Sequence, residues 1–234
     1  ARMDEPLEGR MGLFKVLARG EYSPDRITDR LGETWESAKL RFKPWPCCGT
    51  THAVLEALLF LKNEHGICAD ETEEIYLTVN PSHLNVLRPE EVKYRPGSLA
   101  AAKFSLPFTV ALGLKYGDVR LNMYNEEALN DKELLSIADK VKYTVREPDA
   151  SRTARFFDDD HVAVSLKTRR GVFSREIFHS SGSTARPLGG KRIIDKFLDC
   201  MSYSEKGYRE RDCRRIISVV QSFETLACIR GIFD

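Results

Sequence analysis

The hydrophobic pattern predicts helices at both ends of the chain. Leu13, Val16 and Leu17 recur at helical spacing, and Ser23-Pro24-Asp25 begins a second short helical turn. The C-terminal part has a helical pattern throughout, with apolar positions at Ile193, Ile194, Phe197, Leu198, Ile216, Ile217, Val220, Leu226 and Ile229. The two ends can cover each other only partly, so we expect these helices to belong to a larger helical domain.

Between residues 39 and 179 the pattern mixes strands with helices. An extended piece over Lys39 to Phe42 leads into a proline-rich segment, and an apolar helix follows Thr50 and Thr51, which are good N-cap candidates. Gly66 ends that helix. Alternating polarity then predicts a half-buried strand over residues 75–79.

The second half of this block repeats the mixture. Ser98 caps a helix that continues to Gly113 with a break at Pro107, and Glu126 to Lys140 is a third helical segment. Residues 141–145 alternate as a strand, and residues 162–178 form a hairpin that turns at Arg169-Arg170-Gly171. Strands joined by a hairpin and interleaved with helices predict an α+β fold rather than a doubly wound sheet.

Composition narrows the possible functions. The 234 residues carry 36 basic and 35 acidic side chains, a net charge of +1, which argues against nucleic acid as a partner. No apolar run approaches the roughly 18 residues of a membrane span, and no signal peptide opens the sequence. Six cysteines without a C-x-x-C pair favour reduced thiols and a cytoplasmic location. Because it begins with Ala1, the chain reads as though it starts within a longer protein.

The segment from Lys43 to His52, Lys-Pro-Trp-Pro-Cys-Cys-Gly-Thr-Thr-His, holds the candidate chemistry. Its lysine lies in a stiff turn directly before a helix, whose free N–H groups and dipole attract anions. Such a lysine is a candidate for carboxylate binding or acid–base work, but taken alone a lysine before a proline is more often simply exposed at the surface. A zinc site at Cys47, Cys48 and His52 is disfavoured because adjacent cysteines seldom share one metal. Cys48 before a helix is a better candidate nucleophile, against the alternative of an inert buried thiol.

Four ordered stretches resemble motifs of the MmgE/PrpD family. The Lys43 segment resembles its Lys-x-Tyr-Pro-x-Cys…Thr-His stretch, residues 7–12 its Glu-Gly-x-x-Gly stretch, and residues 102–108 its Ala-Lys-Phe-Ser motif. The hairpin, Gly182 and Lys196-Phe197 resemble its closing strands and returning helix. Two positions depart from the pattern: Trp45 stands where tyrosine is usual, and the stretch from Gly182 to Pro187 lacks its asparagine.

The resemblance implies a fold and an activity. Family members, among them 2-methylcitrate dehydratase and cis-aconitate decarboxylase, combine a large helical domain with a smaller α+β lid and act on small di- and tricarboxylates. On this basis residues 1–38 would end the helical domain, 39–182 would form the lid and 183–234 would return to the helical domain. The expected enzyme is a cofactor-independent, homodimeric lyase or isomerase without a metal. The isolated chain is expected to be inactive, because the family's catalytic histidines belong to the helical half.

Residue roles follow from the same resemblance. Lys43 and Tyr94 are the expected catalytic residues, Lys43 at the substrate carboxylate and Tyr94 as proton donor or relay. The expected substrate-binding residues are His52, Ser105, Cys48 and Thr51. The rival hypothesis is a non-catalytic lid or degenerate relative that serves as a binding or scaffold module.

Overall fold

A computed structural model describes residues 5–147 and 161–226. The chain divides into two compact units, Ala1–Leu40 and Arg41–Asp234. The first unit holds helix α1 (Leu13–Leu17), helix α2 (Pro24–Thr28) and a 3₁₀ turn at Glu36–Lys39. The two predicted short helices are therefore confirmed. The 3₁₀ turn takes Lys39 out of the predicted extended piece, and residues 40–43 belong to no strand.

The second unit is built on one mixed sheet. Within the described ranges it has four strands in the order β2-β1-β3-β4. Strands β1 (Thr72–Val79) and β2 (Val141–Val145) pair in parallel, and β3 (Val162–Thr168) pairs antiparallel with β1 and with β4 (Gly171–Ile177). The predicted hairpin is confirmed, and so is the α+β fold.

Helices cover this sheet and extend beyond it. Their bounds are α3 His52–His65, α4 Leu84–Leu87, α5 Glu90–Lys93, α6 Leu99–Lys103, α7 Leu106–Tyr116, α8 Glu126–Asn130, α9 Lys132–Asp139, α10 Gly190–Met201 and α11 Glu210–Gln221. Short 3₁₀ turns lie at Gly49–Thr51, Pro81–His83, Leu121–Met123 and Phe223–Thr225. The core lies between the sheet and helices α3 and α7, where Leu55, Leu58, Ile75, Leu77 and Phe108 are fully buried.

Two predicted features of these helices differ from the structure, and a third agrees with it. The predicted helix over residues 126–140 is two helices, because the Asp131 carboxylate accepts hydrogen bonds from the Glu133 and Leu134 amides and begins α9. Gly113 does not end α7. It lies inside that helix, where an added Cβ would come within 2.6 Å of Leu55 Cδ1, so it allows close packing against α3. The predicted break at Pro107 is confirmed by the separate helices α6 and α7.

The C-terminal helices present an apolar surface. A groove of about 310 Å³ between α10 and α11 is lined by Gly190, Ile193, Ile194, Phe197, Ile216, Ile217, Val220 and Gln221. Ile193 is 44% exposed and Val220 is 55% exposed. The assignment of these helices to a further helical domain, and the boundaries near residues 38 and 182, stay predictions. Residues 227–234, with Ile229 of the predicted tail, lie outside the described part. No helix in the described part is long and apolar enough to cross a bilayer.

Candidate active site

The loop before α3 presents Lys43 to solvent on a rigid backbone. Pro44 and Trp45 are buried whereas Lys43 is exposed. Proline fixes φ at residues 44 and 46 and restricts the residue before each of them. The Lys43 ammonium donates one hydrogen bond to the Cys47 carbonyl oxygen at 3.2 Å. An ammonium carries three N–H donors, so with respect to residues 5–147 and 161–226 two of them remain available for an anion.

Trp45 anchors the loop in the protein. Its indole N–H donates to Asp118 Oδ1 at 3.1 Å, and the Arg192 guanidinium lies 5.8 Å from the centre of its ring. Arg192 Nη2 is 3.7 Å from the same Asp118 oxygen. A buried indole needs an acceptor, and Asp118 supplies it. Trp45, where the family pattern has tyrosine, thus has a specific structural role.

Two further contacts hold the loop from α10. Lys196 Nζ donates to the Lys43 carbonyl oxygen at 2.5 Å, and Arg192 Nη2 donates to the Pro44 carbonyl oxygen at 3.5 Å. The two cations are four residues apart and so lie on one face of the helix. Together with Asp118 they border a cleft of about 450 Å³ beside the proline-rich loop.

The two thiols have different environments. Cys47 is buried, and burial raises the pKa of its thiol to about 11, despite the hydrogen bond with Thr51 that opposes the rise. Cys47 is therefore a neutral thiol at physiological pH and no ready nucleophile. Cys48 is partly buried; its amide donates to the Lys103 carbonyl oxygen at 2.9 Å and its thiol lies 3.6 Å from Thr50 Oγ1. The amide contact brings the loop next to α6.

Thr51 and His52 lie beneath the loop at the start of α3. Thr51 is fully buried; its hydroxyl donates to the Cys48 carbonyl oxygen at 2.8 Å and is 3.1 Å from Cys47 Sγ. Thr51 occupies the N-cap position, but its side chain does not cap the helix. The predicted N-cap position is therefore confirmed for Thr51, but its hydroxyl closes the preceding 3₁₀ turn instead of capping α3. His52 is 3% exposed and packs edge-on against Trp45 at 5.6 Å between ring centres.

Ser105 and Tyr94 lie on neighbouring elements. The Ser105 hydroxyl caps α7 by accepting from the Phe108 amide at 3.1 Å, and it donates to the Lys93 carbonyl oxygen. Tyr94 is partly buried and its hydroxyl donates to the Val141 carbonyl oxygen at 2.8 Å, at the start of β2. Burial, with help from the nearby acidic groups, raises the pKa of Tyr94 to about 12.

The structure therefore brings five of the predicted site residues together and places the Tyr94 hydroxyl apart from them. Lys43, Cys48, Thr51 and His52 form one loop-to-helix unit, and Ser105 adjoins it because Cys48 bonds to the α6 backbone two residues earlier. The Tyr94 hydroxyl is instead engaged at the edge strand.

The residues that hold the loop, Asp118, Arg192 and Lys196, were not predicted to belong to the site, although Lys196 stands in the motif of the returning helix. Two further signals were an indole that needs an acceptor and a basic pair four residues apart on a helix. A second missed cluster fixes the stretch after the hairpin. Glu56 accepts from the Ser181 amide at 2.7 Å and pairs with Arg186 at 2.7 Å.

The described residues offer no metal centre. Over residues 5–147 and 161–226, no three or more histidine, cysteine, aspartate or glutamate side chains are grouped closely enough to hold a metal ion.

These features define an α+β domain that presents a lysine from an anchored, proline-rich loop at a helix start. Residues 45–225 match the MmgE/PrpD C-terminal domain, and the chain belongs to the MmgE/PrpD family. The matched range begins two residues after Lys43, so the lysine itself rests on the motif resemblance. The family resemblance seen in the sequence is confirmed.

Curated relatives in fungi agree with this assignment. The chain is 25% identical to a cis-aconitate decarboxylase of Aspergillus terreus over 207 residues, which is 80% of this chain and 40% of that protein. It is 28% identical over 128 residues to the cis-aconitate decarboxylase-like protein oryM of Aspergillus oryzae, covering 52% of this chain and 26% of that protein. The chain therefore spans two fifths or less of the length of these relatives.

Proposed function

We propose that this chain supplies the lysine-bearing wall of the active site in an enzyme that acts on small di- or tricarboxylates. The reaction begins with removal of a proton next to a carboxylate, as expected for a lyase or isomerase of the 2-methylcitrate dehydratase and cis-aconitate decarboxylase kind. The observation that carries the proposal is the exposed Lys43 ammonium on a loop anchored from α10 and α6. Two relatives named for cis-aconitate decarboxylation support the substrate class.

Lys43 fits the electrostatic demand of this chemistry. Removing a proton next to a carboxylate places negative charge on the carbon, and that charge spreads into the carboxylate oxygens. A fixed cation and N–H donors aimed at those oxygens lower the barrier, because they interact more strongly as charge develops. The two uncommitted donors of Lys43 are suited to this role.

The other candidates take different parts in the proposal. With a pKa raised to about 12, Tyr94 stays protonated at physiological pH, so it can give a proton but cannot act as a base. Its hydroxyl must leave the Val141 carbonyl oxygen before it donates to a substrate. The contacts of Thr51 and Ser105 favour support of the loop and of α7. Cys48 and His52 stay candidate substrate contacts, because each lies beside the lysine-bearing loop.

The test uses the protein expressed from the complete reading frame. Wild type, Lys43→Ala and Lys43→Arg are incubated with cis-aconitate and with 2-methylcitrate, and substrate loss and products are followed by NMR. Loss of a fixed donor to a developing oxyanion costs roughly 100-fold or more in turnover, so Lys43→Ala should fall by that factor. Lys191→Ala is the matched control, because that lysine is 87% exposed and pairs with Asp195 on α10.

Normal turnover by a folded Lys43→Ala variant would remove the lysine from the mechanism. Absence of turnover in the wild type with both acids, together with unchanged acid binding in Lys43→Ala, would instead favour the non-catalytic binding module.

A further inference from the structure

The loop that carries Lys43 lacks the usual means of fixing a turn. Pro44 and Pro46 have no N–H group, so two of its backbone positions cannot donate hydrogen bonds. Apart from the Cys48 amide, which donates to the Lys103 carbonyl oxygen, the recorded contacts that hold the loop run through its carbonyl oxygens and side chains. Helix α10 supplies both kinds of contact, with Lys196 on the Lys43 carbonyl and Arg192 on the Pro44 carbonyl and beside the Trp45 ring.

A hydrogen bond to the Lys43 carbonyl oxygen has a direct effect on the direction of the Lys43 side chain. Pro44 fixes the φ angle that follows it and restricts the conformation of Lys43 itself. The main freedom left is rotation of the peptide plane between the two residues. A donor on the carbonyl oxygen fixes that plane, and with it the direction in which the Lys43 side chain leaves the backbone. Lys196 Nζ, at 2.5 Å from this oxygen, is that donor.

Contacts of the neighbouring residues hold α10 in one position next to the loop. Arg192 lies one helical turn before Lys196 and is held by Asp118, which also accepts from the Trp45 indole. The position of α10 is therefore tied to the loop at three consecutive residues, 43 to 45. Lys191, on the same helix, pairs with Asp195 at 2.7 Å instead. The loop is therefore contacted from the helix face that carries Arg192 and Lys196.

We propose that Lys196 is a positioning residue for Lys43, fixing the peptide plane from which the Lys43 ammonium is presented to a substrate carboxylate. The inference rests on the proposed function for its catalytic meaning. Its structural part, control of the loop by Lys196, stands without any substrate.

The first experiment measures the loop directly. Wild type, Lys196→Met, Lys196→Arg and Lys191→Met are compared by hydrogen–deuterium exchange with mass spectrometry, in the protein from the complete reading frame. Lys196→Met keeps the aliphatic stem but removes the donor. The Cys48 amide, which donates to the Lys103 carbonyl oxygen at 2.9 Å, should therefore exchange roughly fivefold faster, the effect of one lost hydrogen bond. Lys196→Arg retains donors and should restore slow exchange, and Lys191→Met should match wild type.

The second experiment measures whether the effect passes through Lys43. On cis-aconitate or 2-methylcitrate, Lys196→Met should lower kcat by roughly tenfold, since small misplacements of an active group are costly. In the Lys43→Ala background the same substitution should have no further effect, because residues that act as one unit are not additive.

The two experiments test the role of Lys196 and the proposed function separately. Unchanged exchange in residues 43–48 of a folded Lys196→Met variant would overturn the inference, and so would an equal loss of kcat with and without Lys43. If the wild type turns over neither acid, the proposed function fails, while faster exchange confined to residues 43–48 would still establish that Lys196 controls the loop.

Discussion

Replacing Gly182 with alanine tests how the stretch after the hairpin holds the start of the lysine-bearing segment. Gly182 has a φ of +88°, in the region that L side chains rarely adopt, and an added Cβ would lie 1.9 Å from the Phe42 carbonyl oxygen. Two hydrogen bonds meet at this glycine. The Phe42 amide donates to its carbonyl oxygen at 2.9 Å, and its own amide donates to the Arg186 carbonyl oxygen at 2.7 Å.

The expected cost is the sum of strain and lost contacts. A positive φ costs a non-glycine residue roughly 1–2 kcal/mol. The clash involves backbone, so it is relieved only by displacing residue 182, and loss of the two hydrogen bonds made by that residue costs about 1 kcal/mol each. The free energy of unfolding should therefore fall by about 3–4 kcal/mol. With a urea m-value of about 3 kcal/mol/M, the unfolding midpoint falls by about 1 M.

The assay is urea unfolding of the chain followed by far-ultraviolet circular dichroism, with Gly97→Ala as the matched control. A Cβ added at Gly97 would meet no heavy atom within 4 Å, and Gly97 has no positive φ, so its replacement should shift the midpoint little. A Gly182→Ala midpoint within about 0.2 M of wild type, roughly 0.6 kcal/mol by the same m-value, would refute the reasoning. A loss of similar size in Gly97→Ala would show that the effect is not specific to the contact with Phe42.

Two further predictions concern ionisable groups. Tyr94→Phe removes the hydrogen bond to the Val141 carbonyl and should lower the free energy of unfolding by about 1 kcal/mol. The loss should be equal at pH 6 and pH 9, because the pKa of Tyr94 is raised to about 12, and urea titrations at both pH values check this. The Lys115 ammonium lowers the pKa of Asp131, so the stability from this pair is present above the unfolded pKa of about 3.9 and is lost as the pH falls through the lower folded pKa. Asp131→Asn, which can still cap α9, should therefore lose less stability than wild type on acidification below about pH 4; parallel acid-dependence curves would contradict this.

Local signals accounted for much of the fold. The strand predicted over residues 75–79, which the structure extends to 72–79, and the hairpin after it were predicted from alternating polarity, which depends on neighbours in sequence. The break at Pro107 is equally local, and Ser105 caps the helix that follows it. The parallel pairing of β1 with β2 was not predictable, because register between strands so far apart depends on packing rather than on either strand's own pattern.

The predicted helix boundaries were wrong where one residue type serves more than one structural role. Gly113 carried the signal of a helix end, yet its role is close contact with α3, which only the packed structure reveals. Asp131 sat within a helical pattern, yet its carboxylate competes for backbone amides and starts a new helix. For the site, the loop was visible as a lysine among prolines, but Asp118 and Lys196 lie too far away in sequence for any local pattern to associate them with it.

The contacts of Lys43 also set a requirement for the rest of the site. A charge pair about 4 Å apart in water is worth about 1 kcal/mol, whereas millimolar binding needs about 4 kcal/mol and micromolar binding about 8 kcal/mol. An exposed lysine cannot hold a carboxylate with that strength, and it cannot orient the substrate alone. The Thr51 hydroxyl beneath the loop is already engaged in holding it. We therefore expect the remaining donors, and the surface that excludes water from the Lys43 ammonium, to come from a second wall that closes over this loop.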